Sequence, residues 1–220
     1  MTDRDEMTGA PSGAREKLGV LKTLGRSFEL LLFFGLILGL AYPALVTVAG
    51  NAIFPDQASG SLVRSADGKV AGSRLLGEDW TDTGLFEGRP SATGGNPYNP
   101  MATSGTNYAQ SNPDLAKAVK ERSERWQKLT GSGAPVPMEL LTASASGLDP
   151  QISLAGALYE IPWVSRSTGI PAAQLEALVR SMAKKDLLAF GGDPLVNVLE
   201  LNLKVLDITK KVPFPKPEAK

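Results

Sequence analysis

The feature that most constrains this chain is a stretch without any charged residue, residues 30–55. Its first part, residues 30–49, is almost wholly apolar, and a helix of about 20 residues spans roughly 30 Å, the thickness of a bilayer core. The segment has no polar face, unlike a surface helix. A cleaved signal peptide, whose apolar part has about 7–15 residues, remains the alternative. The sequence therefore predicts a basic flank and a single transmembrane anchor over residues 18–54.

The charges on either side of the apolar segment predict its orientation. No Lys or Arg follows the segment until Arg64. The basic residues close before it outnumber Glu16 and Glu29; they are Arg15, Lys17, Lys22 and Arg26. Because basic flanks stay on the cytoplasmic side, we expect the N-terminus inside the cell and the remainder of the chain outside.

This orientation divides the rest of the chain into three parts. Residues 1–17 are small and polar, which predicts a disordered cytoplasmic tail. Residues 55–209 are long enough for one soluble extracytoplasmic domain. Residues 210–220 are rich in Pro and Lys, a composition typical of an extended tail.

The composition excludes several classes of function. The chain has no His and no Cys, and its formal net charge is +0. Zinc sites built from these residues, Cys nucleophiles and His general bases are therefore ruled out. A neutral chain also lacks the basic surface on which nucleic-acid binding depends, so we expect no nucleic-acid partner.

Strand signals and helix signals are mixed in the soluble part. Short strands are predicted at residues 61–63 and 69–76, with a turn at 66–68. Residues 199–205 alternate strictly between apolar and polar, which predicts a half-buried strand, although their leucines also fit one face of a helix. The mixture predicts an α+β extracytoplasmic domain that follows a single N-terminal transmembrane helix.

Three helical regions are predicted in the same domain. Asn112 followed by Pro113 is a typical cap and first residue of a helix. A second helical region is predicted over residues 153–164, where Pro162 marks a kink or a stop. A third helix is predicted from Pro171, because the apolar residues after it recur at helical spacing.

A long uncharged loop is the most unusual feature of the soluble part. The loop covers residues 88–112, and no charge occurs from Pro90 to Pro113, the stretch called the uncharged loop below. Structureless loops of this length in compact domains are usually functional or disordered. Its apolar side chains Tyr98, Met101 and Tyr108 argue against simple disorder. We therefore expect a contact loop that covers part of a partner surface.

Two further features of this region bear on its function: a pair of glycines that could suggest phosphate binding, and a single charged residue at its start. Gly94-Gly95 is followed by no Lys and opens no predicted helix, so it does not match a phosphate-binding loop. Arg89 stands alone before the uncharged loop. We expect it to pair with a carboxylate of the domain, and contact with a partner is the alternative.

Residues 141–153 form a second candidate segment, which contains three serines. A serine nucleophile such as Ser144 or Ser146 needs a neighbouring base, and the chain has neither His nor an S-x-x-K motif. We therefore expect small residues in a closely packed segment rather than a catalytic site. Catalytic residues are predicted to be absent.

Several ordered segments identify a resemblance to a known family. They are AYPALVT at 41–47, FPDQASGSL at 54–62, FEGRPSAT at 86–93, PYNP at 97–100, LTASASGLDP at 141–150 and VNVLELNL at 196–203. The chain resembles the C subunits of the Kdp potassium-transporting P-type ATPase complexes. Gln151 departs from the family pattern, in which many members have histidine.

The resemblance implies a role in a high-affinity, ATP-driven potassium uptake complex of the bacterial inner membrane. The implied partners are a potassium-selective channel-like subunit, a P-type subunit that hydrolyses ATP, a small single-helix subunit and the lipid bilayer. This chain would be an accessory, non-pore subunit needed for assembly and stability, and not an enzyme by itself. One membrane helix cannot enclose a selective pore.

The resemblance also implies a catalytic chaperone that raises the affinity of the pump subunit for ATP. ATP is then the implied cofactor, with Ser144, Ser146 and Gly147 as its candidate contacts, and no metal is expected on this chain. The predicted topology argues against direct contact, because ATP is cytoplasmic. An outer-face clamp or gate at the potassium entrance, without nucleotide contact, is the alternative.

Partner contacts are expected from both parts of the chain. Gly35 and Gly39 form a small-xxx-small pair suited to close packing against another membrane helix. Arg89, Tyr98 and Asn99 are the candidate contacts of the outer domain, since they lie at or within the uncharged loop.

Overall fold

The computed structural model describes residues 12–185 and 192–209. The predicted tail at 210–220 lies outside these ranges, as do residues 1–11. The chain divides into two compact units between Ser59 and Gly60.

The first unit is a long helical rod. It consists of α1 (Ser12–Leu36), a π-helical turn (Ile37–Ala41), α2 (Tyr42–Ile53) and the short α3 (Pro55–Ala58). The part over Gly19–Ile53 is long and apolar enough to cross a membrane, and none of its most apolar window is buried within the protein. The large apolar side chains of this rod are accordingly exposed. Helix α1 begins at Ser12, so residues 12–17, for which disorder is predicted, are helical here.

Pro43 accounts for the π-helical turn inside the rod. A proline has no N–H to donate, and its ring meets the carbonyl of the residue four positions earlier, which is Gly39. The preceding turn widens, and the Tyr42 N–H donates to the Ile37 carbonyl five positions back. The helix thus continues through the proline, as proline in a membrane helix often allows.

The second unit opens with a hairpin. Strand β1 (Leu62–Arg64) pairs antiparallel with β2 (Val70–Ser73). Between them the N–H of Ser65 donates to the Lys69 carbonyl at 2.9 Å. The two predicted strands and their turn are therefore confirmed, with the first strand shifted by one residue and the second shorter than predicted.

A second strand pair has no counterpart among the predictions. Strand β3 (Gln151–Ser153) pairs antiparallel with β4 (Leu195–Asn197), with Ile152 opposite Val196. Each strand leads directly into a helix. The hydroxyl of Ser153 accepts from the Gly156 N–H, and the Asn197 side chain accepts from the Glu200 N–H. Unlike β1 and β2, these two short strands are far apart in the chain and are not joined by a turn, so no local hairpin signal accompanies them.

The three predicted helices are confirmed, and the second of them continues past Pro162. Helix α4 (Pro113–Thr130) begins after its cap Asn112, whose side chain accepts from the Asp114 N–H at 2.8 Å. The short α5 (Met138–Leu141) comes next, and α6 (Leu154–Thr168) passes through Pro162 without stopping. Helix α7 (Ala172–Met182) buries Leu175 and Val179, two members of the predicted apolar stripe.

The strand predicted at 199–205 is wrong. Helix α8 (Val198–Thr209) occupies this position, in agreement with the alternative that its leucines also allow. Leu201, Asn202 and Val205 are fully buried at helical spacing. The alternating pattern is misleading because Asn202, a polar residue, belongs to the buried face.

The core of the second unit is formed where α4, α6, α7 and α8 meet the two strand pairs. Its largest fully buried apolar side chains are Phe86, Leu140, Ile152, Leu175, Leu201, Val164, Val179, Val196 and Val205. One long helix followed by this mixed helix and strand domain confirms the predicted fold class.

Candidate functional site

The uncharged loop is held in one conformation by its own side chains. The Ser91 hydroxyl accepts from the Tyr98 N–H at 2.9 Å, and the Thr93 hydroxyl accepts from the Asn99 N–H at 3.1 Å. The Asn99 side chain donates to the Gly94 carbonyl at 3.0 Å. These turns replace regular secondary structure with Asx and hydroxyl hydrogen bonds.

Tyr98 fastens the loop to the body of the domain. Its hydroxyl donates to the Arg89 carbonyl at 2.6 Å, and its ring fills the space where Gly77 and Gly88 lack side chains. Burial raises the pKa of Tyr98 above its ordinary value, with nearby carboxylates adding to the effect. The phenol therefore stays neutral and acts as a hydrogen-bond donor.

The loop and residues 141–153, which the sequence identifies separately, are joined by hydrogen bonds. The N–H of Ser144 donates to the Pro90 carbonyl, and the N–H of Ser104 donates to the Ser146 carbonyl, both at 3.2 Å. The Ser91 hydroxyl donates to the Gly147 carbonyl at 2.8 Å. The two segments therefore form one surface, which we call the joined loops.

Gly147 allows this close approach. Its φ is +70°, in the left-handed region that glycine tolerates best. A side chain at Gly147 would lie 2.6 Å from the Thr93 methyl group and 2.9 Å from the Ser104 carbonyl oxygen. The small residues of the segment thus permit contact between two backbones, in agreement with the close packing predicted.

Arg89 pairs within the domain, which confirms the preferred expectation. One guanidinium nitrogen lies 3.2 Å from Asp149, and the other terminal nitrogen donates to the Ala143 carbonyl. Arg89 therefore ties the start of the loop to both ends of the serine-containing turn.

Three backbone donors of the serine segment are already used within the domain. The Ser144 hydroxyl, 4% exposed as a residue, accepts from the Gly147 N–H, and the Ser146 hydroxyl accepts from the Leu148 N–H. Phosphate binding at a loop requires free backbone N–H groups, and those of Ser144, Gly147 and Leu148 are already bonded to protein oxygens. We therefore derive no step through ATP at this segment. Within residues 12–185 and 192–209 no cluster of acidic side chains has the spacing of a metal site.

The joined loops leave two apolar side chains in solvent. Met101 is 91% exposed and Tyr108 is 42% exposed. The Met101 N–H is held by the Asn99 side chain at 3.0 Å, so the backbone that carries the thioether is fixed. Met101 thus presents a large apolar side chain to solvent on a hydrogen-bonded backbone, where it is available for contact with a partner.

The two glycines of the first unit have open surroundings. A side chain added at Gly35 or Gly39 would meet nothing within 4 Å. Gly39 lies in the π-helical turn that precedes Pro43. Both positions thus present bare backbone on the exposed surface of the rod.

Buried polar groups that the sequence did not identify support the start of the loop. Arg125 forms an ion pair with Glu87 at 2.7 Å, and Asp82 lies 2.8 Å from the same nitrogen. Glu160, fully buried, accepts from the Glu87 N–H at 2.7 Å. Burial raises the pKa of Glu160 well above its ordinary value, whereas hydrogen bonding to Glu87 raises the pKa of Arg125.

Another polar contact of the domain, made by Arg122, had a signal in the sequence. Arg122 interrupts the apolar stripe of α4, and a charge at such a position indicates a buried or half-buried partner. Its guanidinium donates to the Leu141 carbonyl at 2.7 Å. Glu160 and Asn202 had no comparable signal: Glu160 lies outside the recognised segments, and Asn202, although within the segment 196–203, stands at a position that alternation assigns to solvent.

Together these features define a class of protein, a mixed helix and strand domain that follows one helix long and apolar enough to cross a membrane. Comparison with known families gives the particular assignment. The chain belongs to the KdpC family, K+-transporting ATPase, c chain, whose family model matches residues 24–207.

Curated relatives agree with the assignment, and each is named a potassium-transporting ATPase KdpC subunit. The relative from Pectobacterium atrosepticum is 45% identical over 193 residues, which cover 88% of this chain and 100% of the relative. A relative from Yersinia pseudotuberculosis is 46% identical, with 87% and 95% covered. One from Variovorax paradoxus is 50% identical over 166 residues, with 75% and 86% covered. The chain is therefore an accessory subunit of a potassium uptake complex.

Proposed function

We propose that this subunit clamps the outer face of its complex, and that the joined loops are the surface by which it does so. In this arrangement the helical rod crosses the cell membrane with its N-terminus in the cytoplasm, and the second unit lies outside. The observation that carries the proposal is the 91% exposure of Met101 on a backbone fixed by hydrogen bonds.

The chemistry of the surface indicates the kind of partner. Residues 90–113 carry no charge, so docking removes no charged group of the loop from water. Desolvating an unpaired charge is costly, whereas burying an apolar side chain is favourable. A surface with apolar and hydroxyl groups suits the outer loops of the channel-like subunit, the partner that the family resemblance places nearest to potassium entry.

Any effect on the affinity of the pump subunit for ATP is then indirect. The backbone N–H groups of Ser144, Gly147 and Leu148 are bonded within the domain, and the proposed topology separates the serine segment from cytoplasmic ATP. Coupling between two distant sites requires that the subunit bind two states of the complex with different affinity. The clamp therefore acts through assembly, with the ATP-hydrolysing and small single-helix subunits as further partners.

Topology is tested first, since the chain contains no cysteine. Met138→Cys, at an exposed position outside the joined loops, is introduced into the full complex in intact cells and treated with a membrane-impermeant maleimide. Ser12→Cys, before the membrane helix, is the matched control. We expect Met138→Cys to react in intact cells and Ser12→Cys only after lysis. The reverse pattern would refute the outer location.

Docking is tested with the double variant Met101→Asp, Tyr108→Asp. Met138, an exposed methionine outside the loop (67%), supplies the control Met138→Asp. We expect the double variant to reduce co-purification of the channel-like subunit several-fold, and the control to leave it unchanged. Normal recovery of the complex with the double variant would rule out these residues as the docking surface. The KM for ATP of each complex then shows whether assembly and ATP affinity change together.

A further inference from the structure

A cavity of about 250 Å³ lies beside the first residues of the uncharged loop, within the second unit. Three arginines line it, Arg89, Arg122 and Arg125, together with the single carboxylate of Glu87. The indoles of Trp80 and Trp126 form part of the apolar wall.

The charges around this cavity are unevenly paired. Glu87 and Asp82 both bind Arg125, and Asp149 binds Arg89. Arg122 has only the Leu141 carbonyl as a hydrogen-bond partner, and no carboxylate of the described ranges lies within ion-pair distance of it. Arg122 is thus the cation of the cavity whose charge no ion pair neutralises.

Arg122 is also partly removed from water. Desolvation by burial lowers its pKa, and the charge of Glu121, its neighbour in the chain, opposes this without forming an ion pair. A guanidinium presents five N–H donors in a planar fork that matches the oxygens of a carboxylate or a phosphate. A half-buried cation without a counter-ion gains the most when such an anion binds.

Two residues that line the cavity also carry buried hydrogen-bond donors without acceptors. In the part of the chain that the structure describes, the Nε of Arg89 and the Nε1 of Trp80 are buried and bond to no protein oxygen. Buried donors nearly always have an acceptor, and a donor without one often bonds to an ion or a water molecule instead. These two donors belong to residues that line the cavity together with Arg122, whereas the unsatisfied donors of Tyr159 and Trp163 lie outside it.

We propose that this cavity binds a small oxyanion, a phosphate or a carboxylate, with Arg122 as its principal ligand. The size of the cavity limits the occupant, since pockets for drug-sized ligands measure about 300–1,000 Å³. An inorganic phosphate or a short carboxylate fits this limit, whereas a nucleotide does not. The indole walls lower the local polarity, which strengthens the attraction between the anion and the guanidinium.

The site is also placed to affect the joined loops. Arg89, which lines it, binds Asp149 and the Ala143 carbonyl of the serine segment, and the Tyr98 hydroxyl binds the Arg89 carbonyl. An anion in the cavity therefore stabilises the base of the proposed docking surface. The inference about the anion does not depend on that surface, because its test measures binding alone.

The test uses the full-length chain in detergent and follows its tryptophan fluorescence. All three tryptophans, Trp80, Trp126 and Trp163, lie in the second unit, and two of them line the cavity. Sodium phosphate and sodium malonate are titrated separately at constant ionic strength, with sodium chloride as the balancing salt. Thermal unfolding is measured at each concentration, since a ligand that binds only the folded state raises the unfolding temperature.

Three variants separate the site from general salt effects. Arg122→Gln removes the unpaired charge, and Arg122→Lys keeps a charge but loses the planar fork. Arg180→Gln is the control, because Arg180 lies on the surface of α7 and pairs with Glu176. Loss of a charge-assisted hydrogen bond predicts an affinity about 10-fold to 100-fold weaker in Arg122→Gln.

We expect saturable stabilisation by phosphate or by malonate in the unaltered chain and in Arg180→Gln, weakened in Arg122→Lys and more so in Arg122→Gln. A response to malonate alone supports the site with carboxylate as its ligand, and a response to phosphate alone supports it with phosphate. The proposal is overturned if neither anion gives a saturable response in the unaltered chain. It is also overturned if Arg122→Gln responds as strongly as the unaltered chain does. If Arg122→Gln does not fold, the decision rests on the unaltered chain and Arg122→Lys.

Discussion

Asn202 on α8 binds both backbone polar groups of Phe86. Its side-chain oxygen accepts from the Phe86 N–H at 2.9 Å, and its side-chain nitrogen donates to the Phe86 carbonyl at 2.8 Å. Both residues are fully buried. The segment around Phe86 has no regular secondary structure, so the Asn202 side chain supplies the hydrogen bonds that a neighbouring strand would otherwise make. This contact fixes the backbone just before Glu87 and Arg89.

Replacing Asn202 tests how much this contact contributes. Asn202→Ala leaves a buried N–H and a buried carbonyl without partners, so we expect the free energy of unfolding to fall by about 2–4 kcal/mol. Urea unfolding followed by tryptophan fluorescence measures it. The control is Asn96→Ala, an exposed asparagine in the uncharged loop, for which we expect less than about 0.5 kcal/mol. Equal effects of the two changes would contradict the role of Asn202.

The position of Asn202 also explains what the sequence could not predict. Apolar and polar residues alternate over residues 199–205, which predicts a strand where helix α8 lies. The pattern misleads because the sequence does not distinguish a buried polar residue from one that faces solvent. Only the distant Phe86 backbone makes Asn202 a core residue, and no local pattern indicates a partner that far away in the chain. Elements with their own local signals, such as the cap Asn112 and the stripe of α7, were predicted correctly.

Glu160 predicts a measurable dependence of stability on pH. Burial raises its pKa in the folded protein, and the hydrogen bond from the Glu87 N–H opposes this only in part. In the unfolded chain the carboxyl titrates at its ordinary pKa, about 4.3. Above that pH the unfolded state binds fewer protons than the folded state, so Glu160 makes the free energy of unfolding decrease as pH rises until its folded pKa is reached.

The variant Glu160→Gln has no proton to release at this position. We therefore expect its free energy of unfolding, relative to that of the unaltered chain, to increase between pH 5 and pH 8, by at most about 1.4 kcal/mol per pH unit. The amide oxygen can still accept from the Glu87 N–H. Urea unfolding at four pH values measures the difference. A difference that does not change with pH would mean that Glu160 is ionised in the folded protein.

Gly147 offers a direct test of the joined loops. Gly147→Ala places a methyl group against Thr93 and the Ser104 carbonyl at a positive φ, so the two segments must separate. We expect a loss of about 1–3 kcal/mol in the free energy of unfolding. Gly133→Ala is the matched control, since nothing lies within 4 Å of its added side chain and its φ is not in the left-handed region.

Gly147→Ala also distinguishes a packing role from a nucleotide role. If packing is its role, co-purification of the channel-like subunit falls together with stability, and the KM for ATP of the complex that still assembles stays unchanged. A raised KM for ATP in a variant of normal stability and normal assembly would instead support contact with the nucleotide. Hydrogen exchange at Ser104 and Ser144, whose N–H groups bond across the segments, reports the separation directly.

Contact between the two segments could not be read from the sequence, although each was identified. Arg89 was expected to pair with a carboxylate, and the structure confirms this with Asp149. The pairing of backbone groups across Pro90–Ser144 and Ser104–Ser146 depends on the whole domain. Sequence motifs indicate that a loop is unusual, whereas long-range contacts decide which other segment it meets.

The glycines of the rod predict how the subunit is held in the membrane. Gly35 and Gly39 are one helical turn apart and present bare backbone, so a neighbouring helix can approach closely there. The double variant Gly35→Leu, Gly39→Leu fills that surface while keeping the apolar character of the helix. We expect co-purification of the other subunits from detergent to fall several-fold. Gly25→Leu, at a position equally open but outside this pair, should leave recovery unchanged. Unchanged recovery with the double variant would show that the glycines are ordinary membrane-helix composition and that assembly depends on the soluble domain.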